Sequence, residues 1–163
     1  MNSRIELLQA MPVFGGVREE SLDFLLARSL SVKVAAGEFF FREDDKAQSM
    51  FVLEEGQAAV VKSRKGHQYV LSQLAVGDCF GEMSLMDMRP RSASVVAVEE
   101  CRAIELSGAS LYALYQQDLE QFTVIQMNIG REVSRRLRDA DERLFQAKVL
   151  SAGFVAEYVF RST

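Results

Sequence analysis

The chain is poor in the residues that build most metal centres and catalytic triads. It has one histidine, His67, inside the charged run Lys62-Ser63-Arg64-Lys65-Gly66-His67-Gln68. That run reads as a solvated hairpin tip, which excludes most histidine-dependent metal and triad chemistry. Its two cysteines, Cys79 and Cys101, form no spacing motif. A disulfide framework is therefore not expected, and a reducing cytoplasm is the natural setting. No apolar stretch reaches the roughly 18 residues of a membrane span. The first residues, Met1-Asn2-Ser3-Arg4-Ile5-Glu6, lack the long apolar core of a secretion signal. The net charge is only −4, so broad attraction to nucleic acid or to a membrane surface is not expected. An anionic ligand would depend on a local field. The adjacent carboxylates Glu54-Glu55 and Asp44-Asp45 do not converge, because neighbours on a strand point to opposite faces. No nucleophile–base constellation is visible, and an enzyme is not expected.

What is present is a core-forming chain. Its 163 residues suffice for one domain with a real core, and 48% of them are hydrophobic, which argues against disorder. Residues 4–30 read as helical, with Pro12 as an interruption. From about Ser31 to Leu106 the apolar period is two: Val32 and Val34, Phe39 and Phe41, Met50 to Leu53, Ala58 and Val60, Tyr69 and Leu71, Val95 and Ala97, Ile104 and Leu106. Many short strands separated by glycine turns predict a mainly β sandwich or barrel with flanking helices, of which a jelly roll is one solution. Arg42-Glu43-Asp44-Asp45 reads as a turn, and aspartate at 44 tolerates the left-handed backbone better than most residues.

Residues 108–146 return to a helical period. Ser107 or Ser110 can cap the first of these helices. In the second, Phe122, Ile125, Ile129, Val133, Leu137, Ala140 and Leu144 form one apolar stripe over about 25 residues. Such a stripe is usually core packing. Its distal half exceeds what the β region can cover, and pairing with the same helix of a second chain would bury it. The tail, 147–163, is apolar with Gly153 as a break. It is too short for a helix-turn-helix module, and no direct DNA binding is expected of this chain.

The most specific stretch runs from Phe80 to Val95. Gly81 can take a backbone angle closed to other residues and lets a ligand approach closely. A short helical turn after it would turn the N–H groups of Met83 and Ser84 toward an anion. Arg91, nine residues past Glu82, offers a planar fork matched to a phosphate. Pro90 fixes the turn that aims Arg91 back at the helix start. Glu82, when ionised, only accepts, as a partner of a ribose hydroxyl must. Taken alone, Glu82 and Arg91 would be a surface ion pair; together with Gly81 and the helix start, the parts fit a small cradle for a sugar-phosphate.

Phe80, Gly81, Glu82, Leu85, Pro90, Arg91, Ala93 and Val95 resemble the phosphate-binding cassette of cyclic-nucleotide-binding domains, found in catabolite activator proteins and in regulatory subunits of cyclic-AMP-dependent kinases. The resemblance implies an eight-stranded β-roll with N-terminal helices and a long C-terminal helix, together spanning residues 1–146. It implies a purine 3′,5′-cyclic monophosphate as ligand, with no metal cofactor. The ligand-binding set is then Gly81, Glu82, Met83, Ser84, Arg91, Ser92 and Ala93. Serine after the arginine leans toward cyclic AMP over cyclic GMP, although its hydroxyl can also meet a guanine amino group. Two residues of the long helix are candidates for a base lid. Arg136 either stacks on the purine or is an exposed helix charge. Asp141 either accepts from an adenine amine or is solvated, while Ala140 cannot hydrogen-bond one. The resemblance also makes the 122–144 helix the element that pairs two chains and relays the signal. The alternative is an interaction domain that keeps the fold and binds no nucleotide.

Overall fold

A computed structural model of the chain describes residues 3–152. Gly153 and the apolar tail positions that follow it lie outside the described residues. Two compact units are present, one up to Ile129 and one from Gly130 onward.

The first unit opens with helix α1 (Ser3–Gln9), a 3-10 turn at Pro12–Phe14 and helix α2 (Glu19–Leu26). Pro12 starts its turn rather than breaking a longer helix, because its missing N–H costs nothing at a first helical position. Eight strands follow: β1 (Leu30–Val34), β2 (Phe39–Phe41), β3 (Ser49–Glu55), β4 (Ala58–Arg64), β5 (His67–Leu74), β6 (Cys79–Phe80), β7 (Ser94–Ala97) and β8 (Cys101–Ser107). They form two four-stranded sheets in the orders β1-β8-β3-β6 and β2-β7-β4-β5, and every pairing is antiparallel. The mainly β jelly-roll expectation holds. The basic tip is the two-residue turn Lys65-Gly66 between β4 and β5, both residues with positive φ, the backbone that matches strand twist in a tight hairpin.

The interior of the roll is built from Val34, Phe51, Leu53, Ala58, Leu74, Phe80, Val95, Ala97, Cys101 and Ala103. On β3, Phe51 and Leu53 face this interior. Met50 and Val52 occupy the other face and are also fully buried, because helix α3 (Glu82–Asp87) packs on β3 and helix α4 (Gly108–Gln117) packs on β8. Strands with both faces covered lose the clean two-residue alternation. Glu54, adjacent to Glu55, pairs with Arg4 at 2.9 Å and Arg102 at 3.6 Å, while Glu55 pairs with Arg102 at 2.6 Å. These carboxylates tie α1 and β8 to β3.

Ser107 caps α4, its Oγ accepting from the Ser110 N–H at 3.0 Å. Helix α5 runs from Leu119 to Ala152, 34 residues, past the end expected near 146. Its first turn is capped by Asp118, whose carboxylate accepts from the Gln121 N–H at 3.2 Å and from Arg18 at 2.8 Å. Ile125 and Ile129 are buried in the first unit, and Asn128 donates to the carbonyls of Val13 and Gly15. In the second unit Leu137 is 61% exposed and Leu144 56% exposed. No described helix is long and apolar enough to cross a membrane.

Candidate functional site

The cradle starts from a backbone constraint. Strand β6 delivers Phe80 opposite Phe51 of β3, their rings stacked with centroids 5.2 Å apart. The next residue, Gly81, has φ 75 and forms the N-cap of α3. A methyl group there would lie 2.5 Å from Nη1 of Arg91. Both the left-handed angle and the missing side chain are therefore needed. The six residues Glu82–Asp87 form the short helix that the sequence predicts, closed by Met88 at positive φ.

Arg91 reaches back to that helix start. Its Nη1 donates to the Gly81 carbonyl at 2.8 Å, and its guanidinium lies 4.0 Å from the Phe41 ring centroid. The backbone is strapped as well. The Asp44 N–H donates to the Arg91 carbonyl and the Arg91 N–H donates to the Asp45 carbonyl, each at 2.9 Å. Asp44 sits at φ 69, so the tolerated left-handed turn expected there is present. Arg91 is 5% exposed and Glu82 4% exposed. Burial pulls the Arg91 guanidinium below its ordinary pKa, and the charges of Glu105, Asp45 and Glu82 oppose that pull.

The other predicted residues divide. Ser84 and Ala93 are buried beside the cradle, whereas Met83 is half exposed. Ser92 is exposed, and its hydroxyl meets the Met83 sulfur at 3.9 Å. Arg136 is half-buried and Asp141 exposed, both on the part of α5 that belongs to the second unit. Arg91 and Glu82 line different cavities. Arg91 lines one of about 540 Å³ with Phe41, Lys46, Ser49 and Glu105. Glu82 lines an apolar one of about 510 Å³ with Leu85, Met86, Tyr112 and Phe122.

Three residues escaped the sequence reading: Phe41 as the ring beneath Arg91, and Ser49 and Glu105 as its polar neighbours. Nη2 of Arg91 is 3.4 Å from the Ser49 hydroxyl, which donates to Glu105 at 2.7 Å. The period of β8 does not single Glu105 out, because buried apolar residues occupy both faces of that strand. Cys101 and Ala103 face the roll interior, and Glu105 is next on that face. The chain thus offers a buried cation at the cap of a short helix, walled by aromatic rings, an arrangement suited to a small anion.

The sequence and the fold both match known proteins. The family model described as "Cyclic nucleotide-binding domain" matches residues 31–118. The chain is 30% identical over 138 residues to a cyclic AMP receptor protein of Thermus thermophilus, covering 84% of this chain and 62% of that protein. It is 33% identical over 92 residues to the type II regulatory subunit of cAMP-dependent protein kinase of Drosophila melanogaster, covering 56% of this chain and 24% of that one. Among solved structures, the Thermus thermophilus catabolite activator protein superposes with a TM-score of 0.72 at 28% identity, covering 88% of this chain and 72% of that one. A cyclic nucleotide-binding domain from Methylobacillus flagellatus reaches a TM-score of 0.77 at 22% identity, covering 95% and 84%, a likeness of fold. The chain spans about three fifths of the bacterial receptor's length.

Proposed function

The chain belongs to the cyclic nucleotide-binding domain family, and from that premise we propose that it is a non-catalytic cytoplasmic sensor of a purine 3′,5′-cyclic monophosphate, cyclic AMP ahead of cyclic GMP. The observation that carries the proposal is Arg91: a residue only 5% exposed, its guanidinium bonded to the Gly81 carbonyl, with Nε buried and without a hydrogen-bond partner among the described residues. An unmatched buried donor on a cation is costly and is relieved by an anion. A cyclic phosphate carries one negative charge, so one arginine balances it without a metal.

In this reading Arg91 and the N–H groups of Met83 and Ser84 hold the phosphate. Gly81 and Ala93 keep the approach open, and Ser92 donates its hydroxyl. Glu82 accepts from the ribose 2′-hydroxyl, which separates ribose from deoxyribose. Arg136 and Asp141 supply a lid over the base, two chains pair through residues 122–144, and the same helix relays occupancy. A ligand shifts such an equilibrium only through unequal affinity for its two states. No DNA contact is assigned to these residues. The relatives named as cyclic AMP receptor and cAMP-dependent kinase subunit support the choice of nucleotide.

One observation favours the second reading, a domain that keeps the fold without binding nucleotide. Arg91 already has protein partners, and Arg91 and Glu82 line separate cavities. Thermal melting separates the two. Cyclic AMP should raise the melting temperature of the intact chain more than cyclic GMP does, and not that of Arg91→Ala. No rise with either nucleotide selects the second reading.

A further inference from the structure

Arg91 is anchored by a two-residue polar chain that lines the same cavity. Strands β3 and β8 pair in the register Ser49 opposite Ser107 and Phe51 opposite Glu105. Ser49 and Glu105 are therefore diagonal neighbours across the ladder, within reach of one another. The Ser49 hydroxyl has a single proton and donates it to Glu105 Oε1 at 2.7 Å. Its oxygen is left to accept, and Nη2 of Arg91 lies 3.4 Å away. Glu105, acting acceptor-only, thereby fixes the direction of the whole chain. Its charge is also the largest of those that favour the ionised guanidinium. With Nη1 on the Gly81 carbonyl and Nη2 on Ser49, both terminal nitrogens are engaged, and Nε is buried with no hydrogen-bond partner among the described residues.

We propose that Glu105, acting through Ser49, is a positioning residue for Arg91: the pair anchors one terminal nitrogen of the guanidinium and so fixes its orientation for an anionic ligand. As far as the ligand is a cyclic nucleotide, the inference rests on the function proposed above; the anchoring itself does not. Electrostatics alone gives the opposite expectation for affinity, because removing the negative Glu105 would strengthen attraction for an anion. Anchoring requires the reverse. A glutamine at 105 can present its amide to Ser49 as a donor, and the hydroxyl then loses the partner that kept its oxygen turned to Arg91.

The test uses the full chain labelled with nitrogen-15, and Arg91 side-chain signals are identified by their loss in Arg91→Lys. In the nucleotide-free protein, the two terminal groups of Arg91 should give separate signals, since anchoring at both ends hinders rotation of the guanidinium. In Ser49→Ala and Glu105→Gln they should average, and in Ser49→Thr, which keeps the hydroxyl, they should stay separate. Titration with cyclic AMP should show about tenfold weaker binding in Ser49→Ala and in Glu105→Gln, and near-normal binding in Ser49→Thr. In the Arg91→Lys background, Ser49→Ala should change the residual affinity by less than about twofold, which a general structural defect would not reproduce. Arg91 signals unchanged by both Ser49→Ala and Glu105→Gln overturn the proposal, as does tighter binding by Glu105→Gln. If the intact chain binds neither cyclic AMP nor cyclic GMP while the Arg91 signals respond as described, the anchoring stands and the nucleotide reading falls.

Discussion

Gly81 and Arg91 constrain each other at the scale of single residues. The left-handed angle at Gly81 starts α3, and the missing side chain leaves room for the guanidinium that bonds its carbonyl. Gly81→Ala should therefore do two things: destabilise the fold by about 1–2 kcal/mol through the positive φ, and displace Arg91, with loss of nucleotide binding. Urea unfolding and a cyclic AMP titration read the two effects separately; a stable variant with undiminished affinity would show that the contact is incidental. Gly81, Glu82 and Arg91 were legible in the sequence because each carries a rare property, conformational freedom or buried charge, at fixed spacing. Ser49 and Glu105 were not. Ser49 opens an apolar run and Glu105 alternates with Ile104 and Leu106, so a half-buried strand would turn Glu105 to solvent. Only the packing of helices on the outer face of β3 and β8 places Glu105 on the inner one.

Among the elements, the turn at Asp44 and the joint at Asp118 make the sharpest demands. Asp44 holds φ 69 while its N–H bonds the Arg91 carbonyl. Asp44→Gly should change stability by less than about 0.5 kcal/mol, whereas the branched Asp44→Val should cost about 1–2 kcal/mol. Equal losses in both variants by chemical denaturation would contradict this account of the turn. At the joint, the Arg18 guanidinium and then the Gln121 N–H hold the Asp118 carboxyl below the usual carboxylate range. A carboxyl whose folded pKa is depressed stabilises above its unfolded value, near 4, and that contribution disappears as pH falls through the lower folded value. Melting temperature should therefore drop below about pH 4, less steeply in Asp118→Asn; identical acid profiles would remove Asp118 from the cause. The strand set and its turns were legible because their apolar period and glycines are local signals. The end of α5 was not. The apolar stripe stops at Leu144, yet Ala147, Lys148 and Leu150 favour helix, and the helix continues to Ala152.

At the scale of the molecule, the apolar face of α5 in the second unit has no cover among the described residues of one chain, with Leu137 61% and Leu144 56% exposed. Pairing of two copies through this face predicts a species of twice the 18.3 kDa mass in light scattering. Leu137→Glu with Leu144→Glu should convert it to a monomer without unfolding the β-roll; a monomeric parent chain would contradict the pairing. The central claim is that buried Arg91 recognises the phosphate of a cyclic nucleotide, and titration calorimetry tests it most directly. The account predicts that cyclic AMP binds the intact chain with micromolar-scale affinity, about −8 kcal/mol, and that Arg91→Ala, still folded by its melting curve, gives no measurable heat. Equal binding by the two proteins, or no binding by the intact chain, would contradict it.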